Sequence, residues 1–141
     1  MKSNLVFSYI LLEFQIFYTK NLVMAQPQPR RFAQIVHLKP SAVAAYKECH
    51  ANVWPEILQK IKECNIVDYS IYFDNDRTLF ATFKYIGTDI EADMKNMASL
   101  PKMKEWWAMT DGMQESPIPG AVSSAEGPGW WKPLEEVFHT D

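Results

Sequence analysis

In the stretch YKECHANVWPEI, Tyr46, His50 and Trp54 recur at intervals of four residues. Side chains four apart on a helix stand one above the other, so Tyr46 and His50 share a surface. Trp54 joins them only if helix persists through Asn52. Pro55 argues against that, because a residue without an N–H is harmless only in the first turn of a helix, so the helix kinks or ends near Asn52 and restarts with Pro55 in its first turn. Histidine, with an ordinary pKa of about 6.5, is the side chain that gives or takes a proton near neutral pH. Beside a phenol and an indole it sits in a half-apolar cup suited to a small hydroxylated ring. Trp106 and Trp107 extend the theme, since adjacent helical residues point about a quarter-turn apart and one indole can reach the core while the other faces a cavity. Indole faces suit the C–H faces of sugars and Tyr hydroxyls suit sugar hydroxyls, so this set reads as a carbohydrate pocket.

The chain shows no Gly-rich phosphate loop, no G-x-S-x-G elbow and no His/Asp/Glu spacing for a metal. His37 on a strand and His139 near the end of the sequence read as ordinary residues. Cys49 adjoins His50, but neighbours on a helix do not face each other, which weakens a Cys-His nucleophile. Proton transfer without metal or organic cofactor is the chemistry these residues leave open. The two cysteines, Cys49 and Cys64, read as unpaired thiols of a reducing compartment, and a cytoplasmic location is expected. A net charge of −3 without a Lys/Arg cluster excludes the electrostatic footprint of nucleic-acid binding. With 141 residues, one domain around one core is expected, and five Trp and six Tyr make it rich in aromatics.

The elements that must position these residues follow from pattern. Arg31–Leu38 reads as a strand ended by Lys39-Pro40. Ser41 is the expected N-cap of a helix whose core face carries Val43, Tyr46, His50, Val53, Ile57 and Ile61. IVDYSIYFD and TLFATFKYI, separated by Asn75-Asp76-Arg77, form a hairpin in which Val67, Tyr69, Ile71 and Phe73 share the core face. Thr88 with Glu91 makes a capping box for a helix from Asp89 to about Ala98. A shorter helix starts at Pro101 and carries Trp106 and Trp107. Residues 115–133 form a Pro/Gly/Ser-rich loop in which Trp130-Trp131 is mainly a loop anchor or dimer contact, with ligand contact the alternative, and LEEVFHT supplies a last strand.

The order is βαββαβ, an α+β ferredoxin-like plan with helices on one face of an antiparallel sheet. Apolar residues occur on both sides of the first strand, Ala33 and Ile35 on one and Phe32, Val36 and Leu38 on the other, so the uncovered face calls for a homodimer packed sheet against sheet. Residues 1–30 precede this unit as an N-terminal extension, either disordered or a weak targeting segment, apolar but interrupted by Glu13 and Gln15, with no run long enough for a membrane span. The domain proper is 31–141.

From Arg31 to His139 the chain resembles the L-rhamnose mutarotase family. The resemblance rests on Tyr46, His50, Trp54, Pro55 and Glu56 in Y-x-x-x-H-x-x-x-W-P-E, on YSIYFD, on Trp106-Trp107 followed by MTD, and on LEEVFH. It implies a dimeric ferredoxin-like α/β-barrel that interconverts the α and β anomers of a monosaccharide such as L-rhamnose, with His50 as proton donor and Tyr46, Tyr69, Trp106 and Trp107 contacting the sugar. Ring opening needs one acid at the ring oxygen and one base at the anomeric hydroxyl. The base stays open between Tyr46, Tyr69, a carboxylate and water. The loop containing IPGAVSSAEGPGWWKP is longer than the family pattern, and residues 1–30 have no counterpart in it. By analogy of fold alone, a cofactor-free monooxygenase or haem-handling protein is the alternative.

Overall fold

Lys39-Pro40 ends the first strand as the breaker pattern predicts, and the chain turns there into its first helical layer. The computed structural model describes residues 28–126 and 129–141, so all but the last three residues of the 1–30 extension lie outside the described residues. Strand β1 spans Arg30–Leu38. A 3₁₀ turn over Pro40–Ala42 then leads into helix α1, Val43–Ala51, with Tyr46 buried. Ser41 is therefore not a cap. Pro40, with its φ already set for a first helical turn, starts the turn one residue earlier, and the extended cap position falls on Lys39.

α1 stops at Asn52, and Trp54 takes an extended conformation ahead of Pro55, the first residue of α2, Pro55–Glu63. Asn65, at a φ of +59°, ends α2 in the left-handed region that Asn tolerates and sends the chain into β2, Ile66–Phe73. The expected hairpin joins β2 to β3, Thr78–Tyr85, with the Asp74 carboxylate accepting 2.9 Å bonds from the N–H groups of Asp76, Arg77 and Thr78. Helix α3, Ile90–Ser99, is capped by Asp89, whose carboxylate accepts from the Ala92 N–H at 3.0 Å, and not by Thr88. A charged acceptor at the cap suits the positive helix N-terminus better than a hydroxyl. Helix α4, Pro101–Met113, has 13 residues where a shorter helix was expected.

The sheet runs β2-β3-β1-β4, and every pairing is antiparallel. Two local departures shape it. In β2, Ile66 pairs with Tyr85 and Val67 with Lys84, the register then shifts, and pairing resumes at Ser70 with Thr82. Asp68, at a φ of +51°, sits at this bulge. Simple alternation would put Val67 on the core face, but the extra residue gives that place to Ile66, only 6% exposed, while Tyr69 stays inward. The second departure is at the edge. β4, Gln114–Glu115, pairs with Leu38 and His37, and β5, Lys132–Leu134, pairs with Ile35, Gln34 and Ala33. One edge strand is thus interrupted by residues 116–131, which leave the sheet beside His37 and return opposite Ile35. The expected last strand over LEEVFHT contributes only Leu134, and the residues after it form no strand.

The four α-helices of the described residues cover one face. There Val36, Leu38 and Leu79 pack with Tyr46, and Ile66 packs with Ile57, Met97, Met103 and Trp106. On the opposite face the cross-strand partners Tyr72 and Phe80 are 62% and 41% exposed. This is the α+β ferredoxin-like plan. Among the described residues, no helix is long and apolar enough to cross a membrane.

Candidate active site

Between the inner sheet face and the helices lies a cavity of about 330 Å³, lined by Tyr46 and His50 from α1, Tyr69 from β2, and Trp106 and Trp107 from α4. Every expected site residue thus reaches one space, although they come from elements as far apart in sequence as α1 and α4. Trp54 does not line it. It packs edge-on against Trp106, with ring centroids 5.3 Å apart, and Lys102 Nζ lies 5.1 Å above its ring. His37 stands on β1 beside Thr78 and Glu115, and His139 bonds to Asp141, both away from the cavity.

One turn of α1 stacks the Tyr46 and His50 rings, centroids 4.1 Å apart, and the Trp106 ring meets His50 edge-on at 5.3 Å. His50 Nδ1 lies 3.0 Å from the Tyr46 carbonyl oxygen. A carbonyl can only accept, so Nδ1 carries the proton and Nε2 keeps a free lone pair. Burial holds the imidazole below its ordinary pKa, with the Tyr46 carbonyl opposing the shift. His50 is therefore neutral at pH 7.

The two phenols shift the other way. Burial, with the nearby Tyr69 phenol adding to it, pushes Tyr46 well above the usual tyrosine range. Burial of its hydroxyl pushes Tyr69 up to about 12, although 40% of the residue's surface is open, so the shift belongs to the hydroxyl end. Both therefore keep their hydroxyl protons at neutral pH. Cys49 does contact His50, contrary to the expectation for helix neighbours. Its Sγ lies 3.2 Å from both Nδ1 and the Tyr46 carbonyl, because both side chains curl back to the same carbonyl. Burial pushes the Cys49 thiol up, which leaves it a poor nucleophile.

Several lining residues had no role in the sequence reading. Gln114, 3% exposed, accepts from Trp130 Nε1 at 2.9 Å through Oε1, and its Nε2 lies 3.4 Å from the Tyr46 hydroxyl. Trp130 and Trp131, expected as a loop anchor or dimer contact, form part of the cavity wall. Ser124 ties the 116–131 segment to the end of α4, its N–H and hydroxyl both bonded to the Asp111 carboxylate at 2.7 and 2.5 Å. A signal for Gln114 existed. Met103, Trp106 and Thr110 mark a buried stripe at three- and four-residue steps, and the next step is Gln114, so two polar residues continue an apolar stripe.

Residues 31–140 match the sequence profile of a family described as L-rhamnose mutarotase. The chain belongs to the L-rhamnose mutarotase family. It is 33% identical over 115 residues to the L-rhamnose mutarotase of Mesorhizobium japonicum, covering 79% of this chain and 97% of that one. With the L-rhamnose mutarotase of Phocaeicola vulgatus it shares 35% identity over 114 residues, 79% of this chain and 99% of the other. The crystal structure of the Formosa agariphila L-rhamnose mutarotase superposes with a TM-score of 0.60 at 30% identity, covering 79% of this chain and 99% of that one. The protein is a sugar mutarotase, an isomerase acting on carbohydrates. Family membership selects this over the monooxygenase or haem-handling alternative.

Proposed function

We propose that this mutarotase interconverts the α and β anomers of L-rhamnose or a related 6-deoxy aldose, and that His50 moves the proton. The observation that carries the reading is the bond from Nδ1 to the Tyr46 carbonyl, which leaves Nε2 as the proton-exchanging atom of a residue on the cavity wall. Nε2 takes the proton of the anomeric hydroxyl as the bond from C1 to the ring oxygen breaks, and the imidazolium returns that proton to the ring oxygen. The open aldehyde turns about its C1–C2 bond. Closure on the other face runs the same transfers backwards.

The base left open by the sequence is then His50 itself in the first half of the cycle. Phenols held above their ordinary pKa are poor bases, and no Asp or Glu is among the described residues lining the cavity. Tyr46 and Tyr69 donate hydrogen bonds to sugar oxygens, and Trp106 and Trp107 cover the C–H faces. A cavity of about 330 Å³ falls at the small end of the ~300–1,000 Å³ typical of small-molecule sites, as suits a monosaccharide.

The functional unit is taken to be 31–141, as a homodimer in which Tyr72 and Phe80 of one copy pack against a second copy. Their exposure on the helix-free face supports that assembly. The free thiols of Cys49 and Cys64 support a reducing, cytoplasmic setting. Saturation-transfer NMR on L-rhamnose and a small panel of aldoses tests the activity. Catalytic amounts of protein should speed exchange between the α and β anomeric signals, most for 6-deoxy sugars. No acceleration with any 6-deoxy aldose would refute the reading.

A further inference from the structure

The side-chain amide of Gln114 has two chemically different ends, and its surroundings fix which end points where. The Trp130 indole N–H can only donate, so the atom 2.9 Å from it must be Oε1. The Gln114 N–H groups therefore point at the Tyr46 hydroxyl, at a long 3.4 Å. A phenol oxygen that accepts from Gln114 keeps its own proton for another partner, and Tyr46 opens onto the cavity. Were Oε1 to face Tyr46 instead, the phenol proton would be drawn to the amide and the cavity would lose a donor.

We propose that Gln114 and Trp130 are positioning residues for the sugar. Trp130 orients the Gln114 amide, and the amide turns the Tyr46 hydroxyl into a donor aimed at an acceptor oxygen of the bound aldose. The proposal rests on the mutarotase reading above. It gives the 116–131 interruption of the edge strand a function. That segment leaves the sheet after Glu115, one residue beyond Gln114, and brings Trp130 back beside Gln114. Its return is held in place at several points. The Ser116 hydroxyl donates to the Trp130 carbonyl at 2.5 Å and accepts from the Ile118 N–H at 3.1 Å, and Asp111 anchors Ser124. Gln114 is 3% exposed, so water does not compete for either end of its amide.

The test is a pair of double-mutant cycles. Gln114→Glu keeps an acceptor for Trp130 but offers Tyr46 an acceptor where it had a donor, and Trp130→Phe removes the group that fixes the amide. Each should lower kcat/KM for anomer exchange about tenfold, the scale of one hydrogen bond, chiefly through a higher KM. In a Tyr46→Phe background neither should have a further effect, because the group they act on is gone. Equal losses in both backgrounds would mean a merely structural role and overturn the proposal. A second readout needs no activity. In protein labelled with ¹³Cζ-tyrosine, the Tyr46 signal, assigned by its loss in Tyr46→Phe, should shift in both Gln114→Glu and Trp130→Phe, and an unmoved signal overturns the coupling. If Gln114→Glu does not fold, Gln114→Met carries the same measurements. An intact protein that fails to exchange L-rhamnose anomers defeats the functional reading alone, and the tyrosine signal still decides the coupling.

Discussion

Replacing His50 by asparagine separates the chemistry of this site from its architecture. The Asn amide nitrogen can take the place of Nδ1 and donate to the Tyr46 carbonyl, now 3.0 Å from the imidazole, while Nε2 has no counterpart. What is lost in packing is the ring stacked on Tyr46 at 4.1 Å and meeting Trp106 at 5.3 Å. For a half-buried residue that keeps its main hydrogen bond, the cost is about 1 kcal/mol, a few degrees in Tm. The chemical loss is far larger. A positioned acid-base group contributes ~10²–10⁴-fold, or about 2.7–5.4 kcal/mol of barrier at 1.36 kcal/mol per tenfold. The expected result is a collapse of anomer exchange by saturation-transfer NMR, with L-rhamnose still bound, since Tyr46, Tyr69 and the indoles remain. His50→Asn that exchanges anomers as fast as the intact protein would refute the assignment of His50. A collapse accompanied by a collapsed Tm would instead refute the claim that architecture and chemistry are separable here.

Other consequences follow from the same geometry. Burial lowers the His50 pKa, so kcat/KM should stay level through neutral pH and fall only as the pH drops through a value below the ordinary ~6.5; a profile that falls as the pH rises through neutrality contradicts a neutral resting imidazole. By the same shift the unfolded chain takes up the proton first, so this contribution to stability is whole above ~6.5 and is lost as the pH falls toward the folded value, which Tm against pH would show. Gly87→Ala would drive a Cβ to within 2.6 Å of the Tyr85 ring and 2.8 Å of Asn65 Nδ2, both tied to the Asp93 carboxylate. Tyr85 is 1% exposed and cannot step aside, so the urea midpoint should fall by the equivalent of ~1–3 kcal/mol, and an unchanged midpoint would refute the crowding. Phe80→Glu places a charge on the exposed face opposite Tyr72 and should turn a dimer into a monomer in sedimentation, whereas an intact protein that already sediments as a monomer sinks the interface.

Much of the fold was legible because it rests on strong local signals. Lys39-Pro40 ends the first strand, Pro55 and Pro101 each set φ at the start of a helix, and Asn75-Asp76-Arg77 between two β-branched, aromatic runs dictates a hairpin. The misses fall where two local rules competed. Ser41 and Thr88 are both good caps by type, yet Pro40 and Asp89 next to them had the stronger claim, one by fixed backbone geometry and the other by charge. Alternation puts Val67 on the wrong face because it counts every residue, and a bulge adds one that the count does not see.

The site shows the same division, and it indicates where this family member differs from a plain ferredoxin-like sheet. Tyr46 and His50 could be paired from spacing alone, because one helix turn brings them together. Trp106 and Trp107 qualified by their chemistry, but Tyr69 needed the resemblance to join them, since no local rule relates a strand to a helix more than thirty residues away. Spacing hints at Gln114, one step beyond Thr110 on the buried stripe, but the bond between Gln114 and Trp130 was out of reach of either. Their contact depends on an edge strand that stops after Glu115, leaves the sheet and resumes at Lys132, a break that reads in sequence only as a loop rich in Pro, Gly and Ser. Both departures from regular pairing, the Asp68 bulge beside Tyr69 and the edge interruption between Gln114 and Trp130, border the cavity. Regular strands supply the frame that packs Val36, Leu38 and Leu79, and the irregular residues place Tyr69, Gln114 and Trp130 on the cavity wall. Sugar selectivity in this protein should therefore respond to changes at Gln114 and Trp130 while the chemistry of His50 stays with α1.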